Sequence, residues 1–260
     1  MRPPIPSPSI VDQQARHRFD TLTPNRGSRL DGYVEYVWKN DRLVIEAYAG
    51  SLAGKRALEF GCNIGATAIV LAHLGADVTA VDRNPRRLAI AKANATQYGK
   101  PIQFRHVSDT DALPFADGSF DIITCCSVLE YMPPDLLNRR LADFDRALRP
   151  GGLLLITATS NRLMPREVHS GRWLANYLPR KFKPTLQRGT TAWRIAGQLP
   201  GYRDLARDDA GYYFLRAKRK IGAGGATMTL LRLVNTAATG VGLSIGYFLP
   251  SIFLALRKPS

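Results

Sequence analysis

Apolar and polar positions follow two alternating patterns over the first 160 residues: short apolar runs, and longer stretches with helical spacing. The apolar runs predict strands at 56–60, 77–82, 102–107, 120–126 and 152–158. The stretches between them predict helices at about 65–74, 85–98 and 134–148. This alternation is typical of a parallel sheet with helices on both faces, so it predicts an α/β fold with a doubly wound, Rossmann-like sheet.

The turn after the first predicted strand is the place where such a sheet binds its ligand, because ligands lie at the carboxyl ends of the strands near the first crossover. The turn runs from Gly61 through Cys62 and Asn63 to Gly65, and Glu59 precedes it. It lacks the GxGxxG fingerprint of dinucleotide-binding folds, and a carboxylate beside it would repel a pyrophosphate. The turn therefore favours a cationic or amine-bearing ligand.

These residues resemble the first motif of the class I methyltransferases that use S-adenosylmethionine. That motif has an acidic residue, an apolar residue and GxGxG, and "EFGCNIG" matches it except that Asn63 replaces the middle glycine. Asn tolerates a left-handed backbone better than other non-glycine residues, so we expect the turn to survive this change. The resemblance continues at Asp82, 23 residues after Glu59, where the family has an acidic residue that accepts the ribose hydroxyls.

Two further stretches extend the resemblance over residues 30–160. "SDTDALPF" is similar to the family segment in which an acidic residue meets the adenine amino group; Asp109 has that position, with Asp111 as the alternative, and Thr110 would bring its backbone to the ring. "ALRPGGLLLIT" resembles the turn into the fifth strand. The resemblance implies a mostly parallel seven-stranded sheet and S-adenosylmethionine as the cofactor. It implies cofactor contacts from Glu59, Gly61, Cys62, Asn63, Gly65, Asp82, Arg83, Asp109, Thr110 and Ser127.

The acceptor side gives fewer signals, because methyl transfer from a sulfonium mainly requires that the acceptor atom be held close and collinear. In the family, the residues after the fourth strand face the donor methyl, here 127–131 (SVLEY). Glu130 is our candidate base for an oxygen acceptor, with a merely positioning carboxylate as the alternative. His169 lies where the family places its acceptor lid and is the second catalytic candidate.

Several of these residues also have a purely structural explanation. Gly61 and Gly65 are needed sterically in any tight strand-to-helix turn. Asp82 could cap the helix that begins at Pro85, although Asn84 competes for that role. The cofactor hypothesis and these simpler explanations make different demands on the geometry of the turn.

The three cysteines, Cys62, Cys125 and Cys126, form no CxxC pair and have no His at ligand spacing. They fit small packing residues, so we predict neither a disulfide framework nor a metal site, and a cytoplasmic, reducing compartment. The N-terminus "MRPPIPSPSI" is rich in proline and has no apolar core segment. It argues against a secretory signal and predicts a disordered tail over 1–15, followed by the methyltransferase core at 16–160.

The net charge of +15 is concentrated in the last hundred residues. Residues 1–160 hold 19 Lys and Arg against 17 Asp and Glu, a difference of +2, whereas residues 161–260 hold 17 against 4, a difference of +13. We expect an acceptor lid at 161–200 that combines Trp173 and Tyr177 with six cations: Arg166, Arg172, Arg180, Lys181, Lys183 and Arg188. Such a lid suits an anionic small-molecule, glycan or lipid-linked acceptor.

Residues 201–260 are expected to complete the domain, and "SIFLALRKP" resembles the closing strand of the family. The 24 uncharged positions at 233–256 are long enough for a membrane span, but a proline, an asparagine and three glycines interrupt them. A helix on the surface of an anionic membrane, attracted by the basic cluster 218–220, and a buried helix followed by a strand are the alternatives.

Two other function classes stay open. A nucleic-acid methyltransferase would use the positive charge, but the chain shows no RNA-binding appendage or base-stacking motif. A non-catalytic binding module with this fold would be expected to lose the acidic cofactor residues, whereas Glu59 and Asp82 are both present. The sequence therefore predicts an S-adenosylmethionine-dependent methyltransferase, in the cytoplasm or at the inner face of the membrane.

Overall fold

The computed structural model describes residues 33–179 and 188–260, and the chain divides into two compact units, 1–111 and 112–260. The described part of the first unit has four helices: α1 (Tyr33–Asn40), α2 (Arg42–Ala49), α3 (Ala66–His73) and α4 (Pro85–Gln97). It has three strands: β1 (Arg56–Phe60), β2 (Asp77–Asp82) and β3 (Ile102–His106). β2 pairs in parallel with both β1 and β3. The strands and helices predicted here are confirmed to within one residue at each end.

The described part of the second unit has four strands: β4 (Phe120–Cys126), β5 (Leu148–Ser160), β6 (Arg203–Asp204) and β7 (Ser251–Arg257). Its α-helices are α5 (Pro134–Ala147), α6 (Ala192–Gly197), α7 (Leu205–Asp208), α8 (Tyr212–Lys220) and α9 (Gly225–Gly240). β5 is parallel to β4, whereas β7 is antiparallel to both β5 and β6.

The seven strands form one mostly parallel sheet with the order β3-β2-β1-β4-β5-β7-β6. This confirms the predicted Rossmann-like, seven-stranded fold. Most of the core lies on the inner strands, where Ala57, Leu58, Ile123 and Ile156 are fully buried. Burial on both faces explains why these strands appear in the sequence as continuous apolar runs and not as alternating ones.

Helix α4 begins with the cap that the sequence predicts. The side chain of Asn84 accepts hydrogen bonds from the backbone N–H groups of Arg86 and Arg87, and Pro85 occupies the first helical position. The cap fixes the place where the chain leaves β2 and so determines the direction of the residues around Asp82.

The apolar segment near the C-terminus divides into α9, a short 3-10 helix at Ile245–Tyr247 and β7. The closing strand is thereby confirmed. Within the described ranges, no helix is both long enough and apolar enough to cross a membrane. The predicted alternative of a membrane span over 233–256 is wrong, because residues 252–256 are the buried part of strand β7.

Candidate functional site

The turn after β1 contains three residues in the left-handed region: Gly61, with φ of 74°, Asn63, with φ of 52°, and Gly65, with φ of 86°. Asn63 thus has the conformation that it was expected to tolerate. The backbone N–H groups of Gly61 and Cys62 both donate to the carbonyl of Val81, at 2.8 and 2.9 Å. These bonds hold the turn against the end of β2.

Gly65 has a structural role of its own. A Cβ at this position would lie 3.1 Å from Cβ of Ala91, and the positive φ disfavours any side chain. Nearby, the buried amide of Asn94 donates to the carbonyl of Ile64 at 2.9 Å. Close packing of the turn on α4 therefore requires glycine here with or without a ligand.

Asp82 is buried and joins three segments. Its Oδ2 accepts a hydrogen bond from the backbone N–H of Asn63 at 2.9 Å, and its Oδ1 accepts one from the N–H of Asn84 at 2.8 Å. Asn84, and not Asp82, caps α4, so the capping explanation for Asp82 is wrong. A carboxylate can accept about four hydrogen bonds, which leaves Asp82 able to accept more from a ligand.

The turn is electrostatically negative. Glu59 is buried near the end of β1, and Cys62 is buried in the turn. Burial raises the pKa of the Cys62 thiol above its usual range, and the charges of Asp82 and Glu59 raise it further. The thiol therefore stays protonated, which is consistent with a packing role, and the two carboxylates favour a cationic or hydrogen-bond-donating ligand.

The side chain of Asn63 has an acceptor oxygen whose hydrogen bond is not satisfied by the described residues. Its side-chain Oδ1 is buried and has no hydrogen-bond partner among the residues that the structure describes. A buried acceptor without a donor costs about 1–3 kcal/mol. An amine- or hydroxyl-bearing group at the turn would satisfy it.

The remaining predicted cofactor residues of this unit lie after β2 and β3. Arg83 donates from Nη1 to Oδ2 of Asp109 at 2.6 Å, with both side chains partly exposed. Thr110 Oγ1 is 2.9 Å from Oγ of Ser108 and 3.3 Å from Oδ1 of Asp111. Of the two candidates for binding adenine, Asp109 and Asp111, Asp109 is the one that pairs with Arg83, the residue directly after Asp82.

A second cluster, in the unit 112–260, brings together Ser127, Glu130 and His169. Ser127 follows β4 in a left-handed conformation, with φ of 55°, and its hydroxyl donates to Oε1 of Glu130 at 3.1 Å. Nε2 of His169 lies 2.7 Å from the same Oε1 and 3.2 Å from the Ser127 hydroxyl. Residues 42 positions apart in sequence thus form one hydrogen-bonded group, which we call the Glu130 cluster.

The charges of the Glu130 cluster favour a protonated imidazole. Burial alone would lower the pKa of His169, but the hydrogen bond to Glu130, the charges of Glu130 and Glu167 and a hydrogen bond to the carbonyl of Ala158 raise it above its ordinary value. The Glu130 side chain is fully buried, and its Oε2 has no hydrogen-bond partner among the described residues. One carboxylate oxygen is therefore paired, and the other keeps its capacity to accept a proton.

Glu167 was not recognised in the sequence. It is fully buried and accepts hydrogen bonds from the backbone N–H groups of His169 at 3.1 Å and Ser170 at 2.5 Å. Burial raises the pKa of Glu167, but these bonds and the hydroxyls of Ser170 and Ser160 outweigh burial and lower it. The sequence feature that could have revealed this role is the position of Glu167, two and three residues before the N–H groups that it binds. Acidic side chains commonly bind nearby backbone N–H groups in this way in loops.

The expected basic lid is only partly a cationic surface. Trp173 and Tyr177 are exposed, as an acceptor-binding lid would require. Arg188 is buried and donates to the carbonyls of Leu178 at 2.5 Å and Pro179 at 2.9 Å, so its expected role in acceptor binding is wrong. Arg180, Lys181 and Lys183 lie outside the described residues.

Residues 58–156, which include the turn, Asp82 and the Glu130 position, match the sequence profile of a family described as a methyltransferase domain. Residues 58–156 form a methyltransferase domain. This confirms the resemblance seen in the first motif, and S-adenosylmethionine is the cofactor of this class.

Curated relatives of the methyltransferase domain include ubiquinone biosynthesis O-methyltransferases. That of Bordetella avium is 31% identical over 143 residues, which cover 48% of this chain and 58% of the relative. That of Xanthomonas oryzae pv. oryzae is 35% identical over 133 residues, covering 50% and 54%. The chain thus spans little more than half the length of these relatives.

Solved structures similar to the methyltransferase domain show its fold. The YcgJ protein from Bacillus subtilis has a TM-score of 0.52 at 20% identity, covering 85% of this chain and 99% of the other. The [4+2]-cyclase SpnF has a TM-score of 0.55 at 20% identity, covering 99% of both chains. A protein described as a cyclase therefore has a similar fold, so the reaction must be argued from the site.

Proposed function

We propose that the protein is an S-adenosylmethionine-dependent methyltransferase that transfers a methyl group to an oxygen atom of its acceptor. The observation that carries the oxygen acceptor is the Glu130 cluster, in which a buried carboxylate is paired with His169 through one oxygen and is unpaired at the other among the described residues. A hydroxyl acceptor must lose a proton, and a positioned carboxylate can take it. The names of the O-methyltransferase relatives support the same chemistry.

The residues of the turn would bind the cofactor by their acceptor oxygens. Asp82 would accept hydrogen bonds from the ribose hydroxyls, and Asp109 would accept one from the adenine amino group. Oδ1 of Asn63 would accept a further hydrogen bond from the ligand. Glu59 would add negative charge beside a cationic ligand. When bound, S-adenosylmethionine supplies an electrophilic methyl group and leaves as a neutral thioether.

On the acceptor side, Oε2 of Glu130 would accept the proton that the acceptor hydroxyl loses when it is methylated. Protonated His169 would stabilise the Glu130 carboxylate and fix its orientation. The Ser127 hydroxyl would donate to Oε1, the carboxylate oxygen that also pairs with His169. Glu130 is thus the proposed base, and His169 changes from the second catalytic candidate to a positioning residue.

We propose an anionic small-molecule, glycan or lipid-linked acceptor, at the face of an anionic membrane. The charge of +13 over residues 161–260 and the exposed rings of Trp173 and Tyr177 support an acceptor with negative charge and apolar surface. Nucleic acid as the acceptor remains the second candidate, and the same charge supports it.

Calorimetric titration with S-adenosylmethionine, its demethylated product S-adenosylhomocysteine and NAD tests the cofactor. We expect binding of the first two and none of NAD. An assay for released S-adenosylhomocysteine with hydroxyl-bearing small molecules, lipid-linked glycans and RNA then tests the acceptor class. Binding of NAD alone would contradict the proposal, and turnover with RNA alone would favour the second candidate.

A further inference from the structure

Helix α9 has one face packed on the protein. Met228 and Ala238 are buried, and Leu231 and Asn235 are half-buried between them. These positions recur at intervals of three and four residues, which defines one side of the helix. The amide of Asn235 donates to the carbonyl of Ala210 at 2.8 Å, just before α8 begins, so the packed face is directed toward α8.

The opposite face of α9 is apolar and exposed. Ala226, Leu230, Leu233 and Ala237 recur at intervals of four, three and four residues, and all four are exposed, with Leu230 and Leu233 at 61% and 65%. Arg232 is the single charged residue of this helix. A surface helix normally has polar residues on its outer face, so an apolar outer face indicates that something covers it.

Helix α8, which precedes α9 in the chain, adds exposed cations. It contacts α9. Its exposed side chains are two aromatic residues and three basic ones: Tyr212, Tyr213, Arg216, Arg219 and Lys220. Lys218 is turned toward the protein, with its ammonium 5.3 Å from the ring centre of Phe214. The basic cluster predicted at 218–220 is therefore better described as Arg216, Arg219 and Lys220.

The chain from α8 onward has no acidic side chain, although Asp208 and Asp209 come just before this helix. Residues 212–260 contain seven Lys and Arg and no Asp or Glu. Exposed cations and tyrosines together with an apolar face are typical of helices that lie in a membrane interface. Anionic headgroups would pair with the cations, and the leucines would reach the acyl region.

We propose that the outer face of α9, together with the exposed cations of α8, docks on the surface of an anionic lipid bilayer. A second copy of the chain would bring two positively charged surfaces together without compensating acids, so charge complementarity favours the membrane. This docking rests on the membrane association in the proposed function, but its test needs neither cofactor nor acceptor. A negative result would therefore leave methyl transfer untouched.

The test is co-sedimentation of the full chain with vesicles of phosphatidylcholine alone and with vesicles that also contain phosphatidylglycerol. We expect pelleting only with the anionic vesicles, and partial release at about 1 M salt, where the Debye length falls to about 3 Å. Changing Arg216, Arg219 and Lys220 to Gln should weaken binding about 10-fold or more. Leu230→Gln with Leu233→Gln should weaken it about 10-fold and abolish the fraction that resists salt.

Two matched controls separate docking from general effects. Changing Lys39, Lys92 and Arg139 to Gln removes three exposed cations elsewhere, and Thr227→Gln with Thr236→Gln places the same new residues on other faces of α9. Both controls should bind vesicles like the unchanged protein. Equal pelleting with neutral vesicles, no pelleting, or a dimer in analytical ultracentrifugation that the leucine variant dissociates would each overturn the proposal.

Discussion

The Asp82 carboxylate accepts a hydrogen bond from the backbone N–H of Asn63 at 2.9 Å, so the end of β2 is tied to the turn after β1. Its other oxygen accepts from the N–H of Asn84 at 2.8 Å. One buried acidic side chain thus connects two strand ends with the start of α4. The geometry of the turn and the binding of a ligand there depend on the same group.

Replacing Asp82 should therefore weaken both folding and cofactor binding. For Asp82→Ala we expect a loss of about 1–3 kcal/mol in the free energy of unfolding, because two backbone donors lose a charged acceptor. We expect a similar loss in the binding free energy of S-adenosylmethionine, measured by calorimetry on protein that circular dichroism shows to be folded. Unchanged affinity would remove Asp82 from the cofactor site.

Asn84→Ala is the control for that experiment. It removes the helix cap and should cost about 1 kcal/mol of stability in urea denaturation. Cofactor affinity should not change, because Asn84 uses its side chain on Arg86 and Arg87. A loss of affinity as large as that of Asp82→Ala would show that general loosening of the turn explains both variants.

Most of the sheet could be predicted from the sequence, because buried parallel strands give continuous apolar runs and the helices between them have clear caps. Helices α1 and α2 could not, since they precede β1 and lie outside the alternation of strands and helices on which the predictions rest. Strand β6 could not, since its two residues are too few to form a pattern. β5 is longer than predicted because it begins at Leu148, where a Pro-Gly-Gly sequence hides the strand.

The candidate site was predictable where a local motif carries it and not where tertiary structure assembles it. The turn residues and Asp82 follow from spacing along the chain. The contact between Glu130 and His169 depends on the path of the segment after β5, and Glu167 fixes that path from a fully buried position. No local pattern predicts which of the lid arginines hydrogen-bonds to backbone carbonyls, as Arg188 does.

Asn63 should tolerate glycine and reject alanine. Its φ of 52° suits glycine, and its Oδ1 has no partner among the described residues, so Asn63→Gly should leave the free energy of unfolding within about 0.5 kcal/mol. Asn63→Ala keeps a Cβ without the local adaptability of asparagine and should cost about 1–2 kcal/mol in urea denaturation. Equal stability of the two variants would contradict the left-handed geometry of this turn.

Glu130→Gln should separate chemistry from binding. The amide keeps an oxygen near His169 but cannot take a proton, so we expect turnover to fall by about 10²–10⁴ while cofactor affinity stays constant. NMR titration should also show the pKa of His169 falling toward its ordinary value, because the charge of Glu130 contributes to raising it. Asp117→Asn, at an exposed carboxylate of the same unit, is the control. Full turnover in Glu130→Gln would make the residue structural.

The stability contributed by His169 should depend on pH in a defined direction. Its pKa is raised in the folded chain, while in the unfolded chain it is about 6.5. The favourable contribution of the protonated ring is therefore complete below about pH 6.5 and is lost as pH rises through the folded-state value. In urea denaturation, His169→Gln should cost about 1–3 kcal/mol more at about pH 6 than at about pH 9.

His73 provides the opposite trend as an internal comparison. Burial, followed by the charge of Lys100, lowers its pKa in the folded chain, so the unfolded chain binds the proton more readily. Stability linked to His73 is then lost as pH falls below about 6.5, and the stability advantage of the unchanged protein over His73→Gln should shrink there. The His169 difference should grow over the same range, because protonation favours the folded chain at that site. Parallel pH profiles for the two variants would mean that the Glu130 cluster does not hold His169 in its protonated form.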